Sequence, residues 1–590
     1  MSAEPVVAEP VVAEPVVEPK PSTGTHRVGS LLDLRSNGQI TTKVGSTPVL
    51  VVWHDGEAFA IEDRCPHLGF PLHRGTIESG MVTCHWHHAR FDLASGCTLD
   101  PWADDAAGFA VTLVGDDVLV TPRRSEASMK RSVERLRKGI ELNLTLVIAK
   151  AVHGLAELPG GEAEAIRVAY ELGAANRADG WGTGLTVLTC MANLLPHLRQ
   201  QDRPLALVHA IRFVARDIAG QPRRIRMGGL DAADQPSDRL AGWYRRFVET
   251  RSSDGAERSL ATLLDGFSPD RFSAAEDALF TAVTDHVFVD GGHILDYTNK
   301  AWEAIGDHGG DPSNLLPTLV AQTCMAERSE ESSEWNHPHD LVSLAATTQT
   351  AIEVSPAPRD PRRFEASIGE LGHDLLIDDP QAVADALVSA RGNGATSEQL
   401  ARAVALAAAL RLVRFHLNNE QGDWDSVHHT FTFTNAVHQA VCRRPDSPVA
   451  RAIVHGAFRV YLDRFLNVPA ARFPTPRFDA LEKLDRCWDL QGNVDQAAAI
   501  VAGSGRTDRP GVIAALGAAL LREDADFHMY QSLEAGVRQA LAWPAESQES
   551  LAILVGITRF LAARTPTRRE LSAIDATAVR LRRGDELFAD

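Results

Sequence analysis

Cys65-Pro66-His67-Leu68-Gly69, followed after a short gap by Cys84-His85-Trp86-His87, decides how this 590-residue chain is read. Two thiolates and two imidazoles form a Cys-x-His pair and a Cys-x-x-His pair, with sixteen residues between His67 and Cys84. Four such donors can satisfy tetrahedral zinc. Zinc sites of this ligand count usually keep both Cys in one pair and both His in the other, whereas each pair here mixes the two types.

The same mixture suits a [2Fe-2S] centre in which two His replace two Cys on one iron, leaving that iron more readily reduced. The stretch resembles Rieske ferredoxins and the Rieske domains of oxygenases, down to Pro66, Gly69, Arg90-Phe91-Asp92 and Gly96. The resemblance implies a [2Fe-2S] cluster held by Cys65, His67, Cys84 and His87. It also implies a small all-β fold with the ligand pairs on two loops at one tip and Pro101 on a third loop covering the cluster. Where the respiratory type carries a disulfide over the cluster, this chain has Phe70 and Trp86. Where that type carries potential-raising hydroxyls, it has Ala89 and Phe91, which cannot hydrogen-bond a cluster sulfur. A low-potential centre is expected.

Short β runs flank the ligands: Val49 to Trp53, Ala58 to Ile61, Phe109 to Leu113 and Val118 to Val120, the last two joined through Gly115-Asp116-Asp117 as a hairpin. Residues 1–25 repeat Ala-Glu-Pro-Val-Val and read as a Pro-rich disordered tail, without the basic and apolar regions of a signal peptide. The Rieske-like domain is expected at 26–122 and an all-α region at 123–590. Met129, Val133, Leu136, Ile140, Leu144 and Val147 open that region at helical spacing, with Ser125 as N-cap.

The helical region echoes itself. Thr189-Cys190-Met191-Ala192 returns as Thr323-Cys324-Met325-Ala326, and His293 with Tyr297-Thr298-Asn299 returns as His429 with Phe433-Thr434-Asn435. Ala206-x-Val208-His209 resembles Ala452-x-Val454-His455. A duplicated unit of about 135 residues follows, at about 160–300 and 300–440. His209, His293, His429 and His455 are the candidate catalytic or metal-binding residues, because packed helices would bring imidazoles together; His528 begins a third partial echo. The structural alternative is a set of hydrogen-bonded core histidines.

Known iron motifs fit poorly. Glu334-x-x-His337 and Glu370-x-x-His373 match the letters of a di-iron site, but Pro338 interrupts the first. Asp425-x-x-His428 and Asn435-x-x-His438 begin the pattern of a Rieske oxygenase iron site, yet Phe433 and Arg443 stand where the second His belongs. The helical region is also similar, over short His-bearing segments, to questin-oxidase-like proteins, cofactor-poor Baeyer–Villiger oxidases. That likeness transfers no catalytic residue.

A net charge of −19 without a basic cluster gives no footprint for nucleic acid. The most apolar stretch, Leu400 to Phe415, contains Arg402, Arg411 and Arg414 and is no membrane span. Seven scattered Cys fit a reducing compartment, so a cytoplasmic location is expected. The sequence therefore reads as an oxidoreductase. Its cluster takes single electrons from a reductase or ferredoxin and passes them to a helical domain with an oxygenase- or oxidase-type site, a small-molecule substrate and an additional iron. The alternative is a non-catalytic electron-transfer or redox-sensing protein whose helices are a docking scaffold.

Overall fold

The computed structural model describes residues 24–122, 129–231, 235–265, 268–355, 360–583 and 585. The chain divides into two compact units, 1–126 with 580–590, and 127–579.

The β unit is built from β1 (His26–Ser30), β2 (Gln39–Val44), β3 (Thr47–His54), β4 (Glu57–Glu62), β5 (Thr76–Glu78), β6 (Met81–Thr83), β7 (Arg90–Asp92), β8 (Gly108–Val114) and β9 (Asp117–Pro122). A six-stranded antiparallel sheet runs β1-β9-β8-β4-β3-β2, and a three-stranded sheet runs β5-β6-β7. The four sequence-expected strands are β3, β4, β8 and β9. The short helix Leu31–Asn37 and strands of three residues, too short for an alternating pattern, were not legible.

Strand β3 explains the unit's layering. Its side chains alternate between faces, so Val49 and Val51 join one apolar cluster with Leu34, Val118 and Val120. Leu50 and Val52 join the other, which contains Ile61, Leu72, Val82, Phe91, Cys65 and Cys84. Both thiols are thus part of a packed core, which fixes their position.

In the helical unit the first periodic run does not continue unbroken. A helix spans Met129–Glu141 and a second spans Thr145–Ala156. Between them Asn143 takes φ 52°, a left-handed turn that Asn tolerates well and that ends the first helix. The expected N-cap, Ser125, lies outside the described residues, as does the tail through residue 23. The proposed repeat boundary near 300 falls inside the helix His293–His308.

The arginines that interrupt Leu400 to Phe415 are structural. In the helix Ser397–Arg414, Arg411 donates to Val460 O at 3.0 Å and Asn467 Oδ1 at 3.1 Å, and Arg402 donates to Glu365 Oε1 at 2.6 Å. Buried charges persist only when paired in this way. No helix of the described residues is long and apolar enough to cross a membrane.

Candidate functional site

The two ligand-bearing loops of the β unit close alike. Cys65 N–H donates to Phe70 O at 2.7 Å, and Cys84 N–H donates to Ala89 O at 2.8 Å. Four residues after each Cys the chain turns left-handed, at Gly69 (φ 85°) and His88 (φ 62°), whose N–H groups return to the carbonyls of Cys65 and Cys84. Each loop therefore presents one Cys inward and one His outward from a self-braced turn. The spacing differs by one residue, x against x-x, and the turn absorbs the difference.

The thiols are buried, Cys65 at 2% and Cys84 at 0% exposure, whereas His87 is exposed. A hydrogen bond between the thiols holds Cys84 down to about 6 and pushes Cys65 up. The rings of His67 and His87 meet edge to face with centroids 4.8 Å apart. Trp102, from the loop after β7, lies edge-on to His67 at 4.9 Å, and Trp86 tilts over His87 at 4.3 Å. Arg90 and Asp100 brace this third loop: Asp100 accepts from Arg90 N–H and from its guanidinium, both at 2.8 Å. Paired inward thiols opposite paired outward imidazoles are the donor arrangement a [2Fe-2S] cluster of mixed ligation needs. All seven cysteines are free thiols, so no disulfide spans the loops.

Gly96 keys the third loop into place. It sits at φ 77°, and an added Cβ would collide with Ala106 O. Gly96→Ala is expected to cost on the order of 2 kcal/mol or more. It should release the cluster at lower temperature, read as loss of visible absorption on heating. Ala89 and Phe91, both fully buried, offer no hydroxyl toward the cluster loops. The expected midpoint lies below about +150 mV, within a Rieske range of about −150 to +300 mV; protein-film voltammetry giving a higher value would contradict this.

The helical unit assembles a second group of donors. His293 opens the helix His293–His308, His429 lies on Asp423–Arg443, and His528 lies on Phe527–Leu541. One ring nitrogen from each lies within 4.8 Å of the others. His429 Nε2 and His528 Nε2 are 3.2 Å apart, and the rings of His293 and His429 meet at 4.5 Å. Two nitrogens that each bind one ion at about 2.0–2.1 Å end up about 3 Å apart, which is this separation.

His528 Nδ1 faces Asp425 Oδ1 at 3.4 Å, and Asp425 is also paired with Arg564. Burial raises the Asp425 carboxyl, but His528 and Arg564 outweigh it and hold the group below its ordinary value. A carboxylate on Nδ1 fixes the tautomer that leaves Nε2 as the ligand. Burial, then the neighbouring imidazoles, pulls His293 down to about 4 and His429 to about 3. Adjacent His428 is fully buried, with Nδ1 2.6 Å from Ser532 Oγ and Nε2 lacking a hydrogen-bond partner among the described residues. Just before His293, Phe288, Asp290, Gly291 and Gly292 all take positive φ. Such clustered strain persists only where its surroundings enforce it, as at ligand sites.

Of the four sequence candidates, the structure brings His293 and His429 together and adds His528. His209 is elsewhere, fully buried, with Nδ1 2.6 Å from Tyr530 Oη and Nε2 3.2 Å from Leu521 O. His455, on the helix Ala452–Leu462, also stands outside the group. Hydrogen bonding and core packing account for the placement of His209, and burial pulls His455 down to about 4. Neither di-iron match forms a site, since Glu334 pairs with Arg459 and Glu370 and His373 are exposed. Sequence reasoning set Asp425 beside His428 in an iron-site pattern; the structure places it four residues before His429 on one helix face and pairs it with His528. Its partner His528 is 103 residues away in sequence, so spacing could not reveal it.

Burial also pulls His209 down to about 4. Between its ordinary value near 6.5 and about 4, the unfolded chain binds a proton that the folded one refuses. Stability on this account is full above about 6.5, falls as pH drops toward 4, and levels below it, at about 1.4 kcal/mol per pH unit for one proton. His209→Asn should flatten that slope in denaturant titrations across this range.

The β unit and its two loops define a small iron–sulfur module of mixed thiolate and imidazole ligation. Residues 25–110 match the Rieske [2Fe-2S] domain family. The ferredoxin component of biphenyl 2,3-dioxygenase from Rhodococcus jostii is 36% identical over 89 residues, 15% of this chain and 83% of that protein. Human apoptosis-inducing factor 3 is 33% identical over 106 residues, and the matched segment spans only 18% of either protein. The ferredoxin of carbazole 1,9a-dioxygenase from Nocardioides aromaticivorans is matched over its whole length, at 26% identity, 17% of this chain and a TM-score of 0.16. The chain belongs to the Rieske [2Fe-2S] family through this segment, and a [2Fe-2S] cluster is its cofactor.

Proposed function

We propose that Cys65, His67, Cys84 and His87 hold the cluster and that it passes single electrons to a mononuclear iron bound by His293, His429 and His528, making the protein an oxidase- or oxygenase-type oxidoreductase. The convergence of three imidazoles, one of them braced by Asp425, carries this reading. Imidazole sets suit zinc, copper, iron and nickel alike. A one-electron donor on the same chain favours a redox metal, and iron is the one the cluster's own assembly already requires.

Three protein donors leave coordination positions for dioxygen or an organic substrate, and the bound iron would supply the redox chemistry there. The chain's residues do the rest. Asp425 and Arg564 hold His528, and the aromatic rings of Phe527 and Tyr297 pack against His293. A reductase or ferredoxin is the electron donor in this scheme.

Iron analysis of anaerobically reconstituted protein tests the reading. About three iron atoms per chain are expected, two in the cluster and one outside it. A value of two, unchanged in His429→Ala, would remove the helical iron from the account.

A further inference from the structure

A second, mixed donor set lies at the other end of one of these helices, Asp423–Arg443. Glu398 sits in the first turn of Ser397–Arg414, and His438 and Cys442 lie one turn apart on Asp423–Arg443. One ligand atom from each lies within 4.8 Å of the others. His438 Nε2 faces Glu398 Oε1 at 3.2 Å. Its Nδ1 is 3.2 Å from Gln539 Oε1, and the Gln539 amide N–H is committed to Asn435 Oδ1 at 2.8 Å. The Gln539 amide nitrogen lies 3.0 Å from the same Nδ1, so Gln539 covers Nδ1 as donor or acceptor and leaves Nε2 aimed at the carboxylate.

An imidazole nitrogen and a carboxylate oxygen at this distance share a cation, either a proton or a metal ion. A proton alone would give an ordinary ion pair. The third donor argues for more, because the Cys442 sulfur reaches the same point and adds a soft ligand that an ion pair does not require. His438 is 2% exposed whereas Cys442 is exposed, so the donors form a pocket closed on the imidazole side and open to water on the other. Arg402 Nε, 3.3 Å from Glu398 Oε1, steadies the carboxylate from behind.

We propose that Glu398, His438 and Cys442 bind a zinc ion, with water in the open position. Carboxylate, imidazole and thiolate are the three ligand types zinc accepts, and a hydrogen bond from the ligand's other ring nitrogen is the usual support. The ion clips the start of one helix to the end of its neighbour. Through Gln539 it also braces Phe527–Leu541. His438 lies about 13 Å along the helix from His429, so the ion fixes the far end of the helix that carries His429 and, through Gln539, steadies the one that carries His528.

The test uses the full-length, cluster-loaded protein in the His429→Ala background, which removes the triple-histidine group as a competing zinc site. Alkylation of Cys442 by iodoacetamide is followed by mass spectrometry with and without one equivalent of zinc, with exposed Cys97 as the internal reference. Zinc should slow Cys442 alkylation by about tenfold or more and leave Cys97 unchanged, and His438→Ala should abolish the protection. In parallel, cobalt should give a thiolate charge-transfer band that Cys442→Ser, a substitution at an exposed site, removes. Unchanged alkylation with zinc, or protection that survives His438→Ala, overturns the proposal. Either outcome leaves the iron count at the triple-histidine group unaffected.

Discussion

His87→Ala is expected to abolish the Rieske electron paramagnetic resonance signal and its visible absorption while far-ultraviolet circular dichroism keeps the helical content. The imidazole it removes lies on the exposed rim, so the buried thiols and the sheet beneath them keep their packing. The cluster would lose one of its four proposed ligands, and with it part of the imidazole ligation that defines its spectrum. His67→Ala has the same effect and additionally removes the ring against Trp102. Survival of the Rieske signal in either variant would show that the ligands have been misassigned.

His429→Ala has the opposite profile. The Rieske signal should stay, and the proposed iron beyond the cluster should be lost. Nitric oxide added to the reduced wild-type protein should generate the half-integer-spin signal of a ferrous nitrosyl at a non-haem site, and the variant should give none. His429 is central to the effect because it touches both other rings, at 4.5 Å to His293 and 4.9 Å to His528. Asp425→Asn is milder. It keeps all three ligands but weakens the orientation of His528, and losses of this kind lower metal affinity by about 10–100-fold. A nitrosyl signal equal in wild type and His429→Ala would place the ferrous iron elsewhere.

The β unit was largely legible because its information is local. Cys65, His67, Cys84 and His87 fall within 23 residues, and the turns that present them are closed by neighbours in sequence. Strand β3 announced itself as an apolar run because both of its faces are buried. The helical unit was legible as helices and only half legible as a site. The echo of His293 in His429 proved to have spatial meaning, since the two rings touch. The same echo in His209 and His455 marked core positions that share a helical environment without sharing a site. The pairing of His528 with Asp425 was beyond reach, although each residue drew notice, because it depends on how the helices Asp423–Arg443 and Phe527–Leu541 pack, and no periodicity within either helix encodes it. The donor set at Glu398, His438 and Cys442 was missed for the same reason, although His438 and Cys442 have the four-residue spacing of one helix face.

The cluster and the triple-histidine group are joined by the claim that electrons pass from one to the other. Freeze-quench electron paramagnetic resonance tests it most directly. Protein reduced anaerobically, freed of excess reductant and mixed with dioxygen should lose its reduced-cluster signal rapidly, and in His429→Ala the signal should persist at least about tenfold longer. Equal decay in the two proteins would mean that the cluster discharges without the helical site, and would contradict the account.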